Sequence, residues 1–132
     1  DRMFISTDGN GDLGYVPMEL KTGAWKDYKQ TSMRKELAFY KFLLENAPQE
    51  RLEELGIDRN IPVSHWAWYY PASNYLQVEK VKKASMKAVI NGIAQMIHAY
   101  ERKTFPTKYF YKTCAHCSFF NICESAQSEA WV

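Results

Sequence analysis

Residues 1–23 read DRMFISTDGNGDLGYVPMELKTG, and the reading of this stretch decides the fold. Met3-Phe4-Ile5 is apolar and strand-prone, Asp8-Gly9-Asn10-Gly11-Asp12 is built of turn formers, and Leu13 to Leu20 is apolar again. That order predicts a β-hairpin closed before Gly23. With the turn centred on Asn10, paired residue numbers sum to 20, which sets Asp1 across from Glu19. Pro17 lies inside the second strand and lacks an N–H, so one side of that strand loses a ladder partner there or bulges. Glu19 and Lys21 are two apart and share a face. Carboxylates directly opposite one another, with Cβ atoms about 4.5–5.5 Å apart, repel unless a cation lies between them. Mg²⁺ is the usual occupant of such an oxygen site. Lys21 beside it would orient or help deprotonate a water, or neutralise charge developing on a phosphate. The plainer reading is an exposed hairpin whose Glu19 and Lys21 are ordinary surface charges.

Asp8, Asn10, Asp12 and Glu19 also stand at positions one, three, five and twelve of an EF-hand calcium loop. That reading fails at the sixth position, where the loop needs glycine and this chain has Leu13. Strand-like flanks and Pro17 replace the two helices it requires.

Outward from the hairpin, Met33, Leu37, Tyr40 and Leu44 recur at helical spacing within a predicted helix from about Trp25 to Glu45. Asn46-Ala47-Pro48 stops it, and Pro48 to Leu55 forms a short helix closed by Gly56. Val63 to Tyr70 reads as a strand, Pro71 to Asn74 as a turn, and Tyr75 to Lys80 as an alternating strand. Along the first strand, one set among Trp66, Trp68, Tyr69 and Tyr70 faces the core and the other is free to stack on bases. Met86, Val89, Ile90, Ile93, Met96, Ile97 and Tyr100 trace one face of a long helix that Pro106 ends, with Ile97 buried. His65 and His98 read as packing or solvent-facing residues. The order ββαββα predicts an α/β fold, a mixed β-sheet flanked by helices, with a short cysteine-rich C-terminal tail.

The chain's 132 residues suit one domain with a real core, and 46% hydrophobic with 15% aromatic content excludes a disordered chain. No apolar run reaches the ~20 residues of a membrane helix, and nothing resembles a signal peptide. Opening on Asp1, the chain reads as a segment whose upstream part is missing. The net charge of +2 hides an asymmetry: residues 80–112 hold eight bases and a single acid, Glu101. Interleaved with Tyr100, Phe105, Tyr109, Phe110 and Tyr111, this basic run fits either a solvated face or a surface that meets a phosphate backbone. Three clustered cysteines argue against a disulfide framework. Cys114, Cys117 and Cys123, spaced C-x2-C-x5-C, suit a metal or cluster, with Tyr111, Phe119, Phe120 and Ile122 as a shield. His116 is a possible fourth ligand to zinc, and buried free thiols are the plain alternative.

Asp1-Arg2, then Met18-Glu19-Leu20-Lys21-Thr22-Gly23, then Arg34 to Tyr40, then the three cysteines, closely resemble the RecB-like branch of the PD-(D/E)XK nucleases. That branch shows an Asp followed by Arg, a (D/E)-x-K-T-G strand end, a Q-x-x-x-Y helix and often C-x2-C-x5-C. The resemblance spans essentially the whole chain. It implies a restriction-endonuclease-like core over 1–105, with 106–132 as a cysteine-bearing tail packed on the same domain. It makes Asp1 and Glu19 ligands of Mg²⁺ or Mn²⁺, Lys21 the catalytic lysine, and Glu36 and Tyr40 the matches to the helix motif. Glu36 departs from the family's Gln, and it and Tyr40 also read as a polar i,i+4 pair at the edge of the buried helix face. The cysteines would bind a [4Fe–4S] cluster in the intact protein, its fourth ligand lying outside this chain, in a reducing, cytoplasmic setting. The implied activity is a DNA nuclease, exonuclease-like on ends or single strands, with protein partners in a repair, CRISPR or viral complex and no membrane association. The alternative is a catalytically silent DNA-binding or scaffolding module of the same fold.

Overall fold

The computed structural model describes residues 2–129. Four strands, β1 (Arg2–Thr7), β2 (Leu13–Leu20), β3 (His65–Tyr70) and β4 (Tyr75–Lys80), form one sheet in that spatial order. Among the described residues five α-helices accompany them: α1 (Gln30–Asn46), α2 (Gln49–Glu54), α3 (Lys83–Arg102), α4 (Tyr111–Cys114) and α5 (Glu124–Glu129). The fold is α/β with a mixed open sheet flanked by helices. The chain groups into two compact units, Asp1–Ala94 and Gln95–Val132, and the division falls within α3.

The hairpin forms in the expected register, from Arg2 opposite Met18 to Thr7 opposite Leu13. Its loop is closed locally: the Asp8 carboxylate accepts the N–H groups of Asn10 (2.8 Å) and Asp12 (3.0 Å), and Gly11 takes φ +86°. Asp8 and Asp12 thus serve a β-turn between strands, which removes the helix–loop–helix setting of a calcium loop. Beyond Pro17 the ladder shifts. Tyr15 pairs with Val63 in an isolated parallel bridge, whereas the continuous parallel pairing starts at Met18 opposite Ala67. One extra residue is therefore accommodated on the β3 side, where Pro17 has no N–H to offer. Gly14 makes this crossing possible, because a Cβ there would stand 2.1 Å from Ser64 Oγ.

One face of the sheet carries the core. Trp66, Trp68 and Tyr70 are buried under Met33, Leu37 and Ala38 of α1. Trp25 closes the end of this cluster, stacked on Tyr75 at 4.6 Å between ring centres and edge-on to Tyr70 at 5.2 Å. Its backbone N–H donates to Ser73 Oγ (2.8 Å), Lys26 is extended, and α1 starts at Gln30 after a single 3₁₀ turn over Asp27–Lys29 instead of at Trp25. In β4 the polar alternates point inward with Tyr75, while Leu76 and Val78 remain more than half exposed.

The inward choice is fixed by an ion pair. Arg34 of α1 grips Glu79 of β4 with two bonds (Nε to Oε1, 2.6 Å; Nη2 to Oε2, 2.8 Å), and Trp66 Nε1 donates to the same Oε1 at 2.9 Å. The Arg34 hydrogen bonds hold the Glu79 carboxyl below its ordinary value against the opposing effect of burial. Met86 and Val89 of α3 also pack against the core, but no residue of α3 is fully buried. Ile97, expected to be buried, is 49% exposed, and Tyr100 is 77% exposed. The apolar period is right, and within the first unit Met86 and Val89 are the α3 residues that pack against the core. The helix ends at Arg102, ahead of Pro106, because Lys103 turns to φ +51° and Thr104 N–H caps back to Ala99 O.

Replacing Glu79 by Ala is expected to cost about 3 kcal/mol by leaving Arg34 and the Trp66 N–H without their acceptor. Because the folded carboxyl lies below its unfolded value, this stabilisation exists above the unfolded pKa and fades as pH falls through the folded one. Urea denaturation at neutral and acid pH is therefore expected to show the difference between wild type and Glu79→Ala shrinking in acid.

Candidate active site

Glu19 stands at the end of β2, directly across from Trp68 of β3, in the part of the sheet that α1 covers. It is only 4% exposed. Lys21 extends the same edge, and its backbone N–H still bonds Tyr69 O of β3 at 3.1 Å. Glu36 and Tyr40 lie on successive turns of α1 and face this strand end together. The four side chains meet. Lys21 Nζ is 2.7 Å from Glu19 Oε1 and 3.0 Å from Glu36 Oε1, while Tyr40 OH donates to Glu19 Oε2 at 2.7 Å and lies 3.4 Å from Glu36 Oε1. Each oxygen of the buried Glu19 carboxylate thus has its own donor, and one ammonium ion sits between two carboxylates.

The electrostatics follow from this arrangement. Burial alone would raise the Glu19 carboxyl, but the Lys21 and Tyr40 hydrogen bonds and the lysine charge outweigh it, so Glu19 lies below its ordinary value. Lys21 is raised, first by its hydrogen bond to Glu19 and then by Glu36, against desolvation. Tyr40 is pushed well above its ordinary value by burial and by the Glu19 carboxylate it serves, so it remains a donor. At neutral pH the cluster therefore holds a charged carboxylate, a charged ammonium and a neutral phenol.

No protein-family model matches the chain, and no curated protein matches it significantly. Asp1, the other expected ligand, lies outside the described residues. Among the described residues no group of three His, Cys, Asp or Glu side chains is gathered as a metal cage. The donors that are gathered, two carboxylates around one cation, are hard oxygen ligands of the kind that suit Mg²⁺ or Mn²⁺.

The cysteines lie in the second unit. Cys114 ends α4, Cys117 follows in a turn whose N–H bonds Cys114 O (3.1 Å), and Cys123 precedes α5. Cys114 and Cys123 are half-buried and Cys117 is exposed. Cys114 Sγ accepts the Phe110 N–H at 3.4 Å. Phe119 and Ile122, expected to shield the sulfurs, are instead 66% and 78% exposed. Of the two histidines set aside, His65 meets Ser64 Oγ (3.0 Å) and His98 lies 3.8 Å from Glu101.

Sequence reasoning missed the Arg34–Glu79–Trp66 cluster, which clamps the helix that presents Glu36 and Tyr40. Its members are up to 45 positions apart, and no local pattern links them. The one available signal was Glu79 itself, a charge flanked by Val78 and Lys80 in a strand.

Lys21→Ala is expected to cost about 1–3 kcal/mol by leaving the buried Glu19 charge with Tyr40 as its remaining partner. Glu19's contribution is present above its ordinary 4.5 and lost as pH falls through its depressed folded value. Lys21's is complete below its ordinary 10.5 and lost as pH rises through its raised folded value. The wild-type advantage should therefore hold between about pH 5 and about pH 10 and close at both ends. Denaturation midpoints across pH check this, and a pH-independent difference excludes the pairing as its source.

Proposed function

We propose that this chain is a metal-dependent DNA nuclease of the RecB-like PD-(D/E)XK kind, hydrolysing phosphodiester bonds at DNA ends or in single strands. The observation that supports it is the convergence of Glu19, Lys21, Glu36 and Tyr40 from two separate elements, the residues that the family's motifs single out. In this reading Glu19, with Asp1, holds Mg²⁺ or Mn²⁺, which when bound supplies Lewis-acid polarisation of the scissile phosphate. Tyr40 keeps the Glu19 carboxylate in one orientation. Lys21, protonated at neutral pH, acts by its charge and its N–H groups: it orients the attacking water and neutralises charge accumulating on the phosphate. A raised lysine is a poor general base, so deprotonation of the water is not its task. Glu36, in place of the family's Gln, accepts from Lys21 and sets the direction of its ammonium group.

The same proposal assigns Cys114, Cys117 and Cys123 to a [4Fe–4S] cluster completed by a ligand outside this chain. Thiolates are the soft donors such a cluster takes, and it would cross-link the second unit where disulfides do not persist. In this reading the protein works in a reducing, cytoplasmic compartment, with partners in a repair, CRISPR or viral complex. No helix among the described residues is long and apolar enough to cross a membrane.

With Mn²⁺ and end-labelled single- and double-stranded DNA, wild-type protein is expected to cleave. Glu19→Ala and Lys21→Ala are each expected to lower the rate at least about 100-fold while DNA binding persists. Unchanged cleavage by either variant removes the mechanism, and DNA binding by a wild type that never cleaves selects the silent module. Anaerobically purified intact protein is expected to contain iron and sulfide, both lost with Cys114→Ala. Equimolar zinc without iron overturns the cluster.

A further inference from the structure

A groove of about 570 Å³, lined by none of the residues of the Glu19 cluster, opens within the first unit. Its floor is apolar, formed by Val63, Val81, Met86 and Ile90, and its rim carries Lys41, Lys83 and Lys87. Lys41 is engaged, with its ammonium held by Glu45 and by Val63 O. Lys83 and Lys87 are exposed, and among the described residues neither takes part in a salt bridge.

The position of these lysines is unfavourable for the folded chain alone. Lys83 opens α3, Lys87 follows one turn later, and no acidic residue stands in the first turn. Cations at a helix N-terminus oppose the positive end of its dipole, where anions are favoured. The whole stretch 80–100 contains four lysines and no acid. Ile90, at the floor, is left 49% exposed beside them. Local rules broken together at one place mark a site that answers to something other than the fold.

We propose that this groove binds single-stranded DNA, with phosphates at Lys83 and Lys87 and unpaired bases against the Val81–Met86–Ile90 floor. The charge is complementary to a phosphate chain, and the apolar floor lets unpaired bases leave water by contact, which the stacked bases of a duplex cannot do. The choice of DNA as the anionic polymer rests on the nuclease reading above. The groove would then hold part of the strand apart from the bond being cut.

The test is fluorescence anisotropy of a labelled oligothymidylate with intact protein in EDTA, with salt varied from about 50 to about 200 mM. Lys83→Glu/Lys87→Glu is expected to weaken binding at least about tenfold and to reduce the log–log salt slope by about 1.4, the share of two single-strand phosphate contacts. Ile90→Ser is expected to weaken binding several-fold with the slope unchanged. Lys83→Gln/Lys87→Gln should lose the same slope while its melting temperature stays level or rises, since a repulsion at the helix end is removed. Affinity and slope unaltered in the charge variants, a duplex bound as tightly as the single strand, or a polyglutamate peptide competing as well as the oligonucleotide would each overturn the groove. Cleavage by the wild type with Mn²⁺ is scored separately. A protein that cuts but keeps its slope in the charge variants loses only the groove, and one that binds through these lysines without cutting loses only the nuclease reading.

Discussion

The burial of the Glu19 charge is the constraint on which the rest of this structure depends. A carboxylate 4% exposed is tolerable only if both oxygens find donors, and the chain supplies them from opposite directions. Lys21 comes from the same strand two residues on, and Tyr40 comes down from α1. Meeting both fixes the face that β2 turns inward, the rotation of α1 about its axis, and the height at which the helix crosses the sheet. A one-residue slip of β2 would carry Glu19 to the other face, and a quarter-turn of α1 would withdraw Tyr40.

Helix α1 holds this position because it is anchored along its other side as well. Glu36 and Tyr40 look toward β2, Met33, Leu37 and Ala38 press on the tryptophans of β3, and Arg34 reaches across to Glu79 of β4. The bidentate pair joins an apolar contact that could slide to a directional one that cannot. Trp66 links the two, since its ring is in the core and its N–H is on Glu79. Orientation of the polar cluster is thus secured by contacts that take no part in it, which is what a site requiring fixed distances needs.

The proposed chemistry follows from charge placed under these constraints. Lys21 lies between two carboxylates and stays protonated, so it is suited to electrostatic work on a phosphate more than to proton abstraction. The proposed strand groove lies at the acid-free start of α3, which presents its lysines there. The net charge of +2 conceals the basic stretch, because the +7 of residues 80–112 is offset by −5 spread over the rest of the chain.

Much of this was legible in local order. The hairpin register followed from five turn residues between two apolar runs, and the i,i+4 spacing of Glu36 and Tyr40 placed them on one face before any partner was known. The two-residue spacing of Glu19 and Lys21 did the same on the strand. Local pattern determines such features because strand and helix periods are properties of the backbone alone. What the tertiary structure decided was direction and depth. In β4 the apolar alternates Leu76 and Val78 lie exposed while Glu79 turns inward, because Arg34, 45 residues away, waits there. In α3 a continuous apolar stripe is only partly buried: Met86 and Val89 pack against the core, while Ile90, Met96 and Ile97 are left exposed. The sequence by itself determined which residues share a face; only packing between distant segments decided which faces are covered and which charges have partners, since burial and pairing depend on what arrives from elsewhere in the chain.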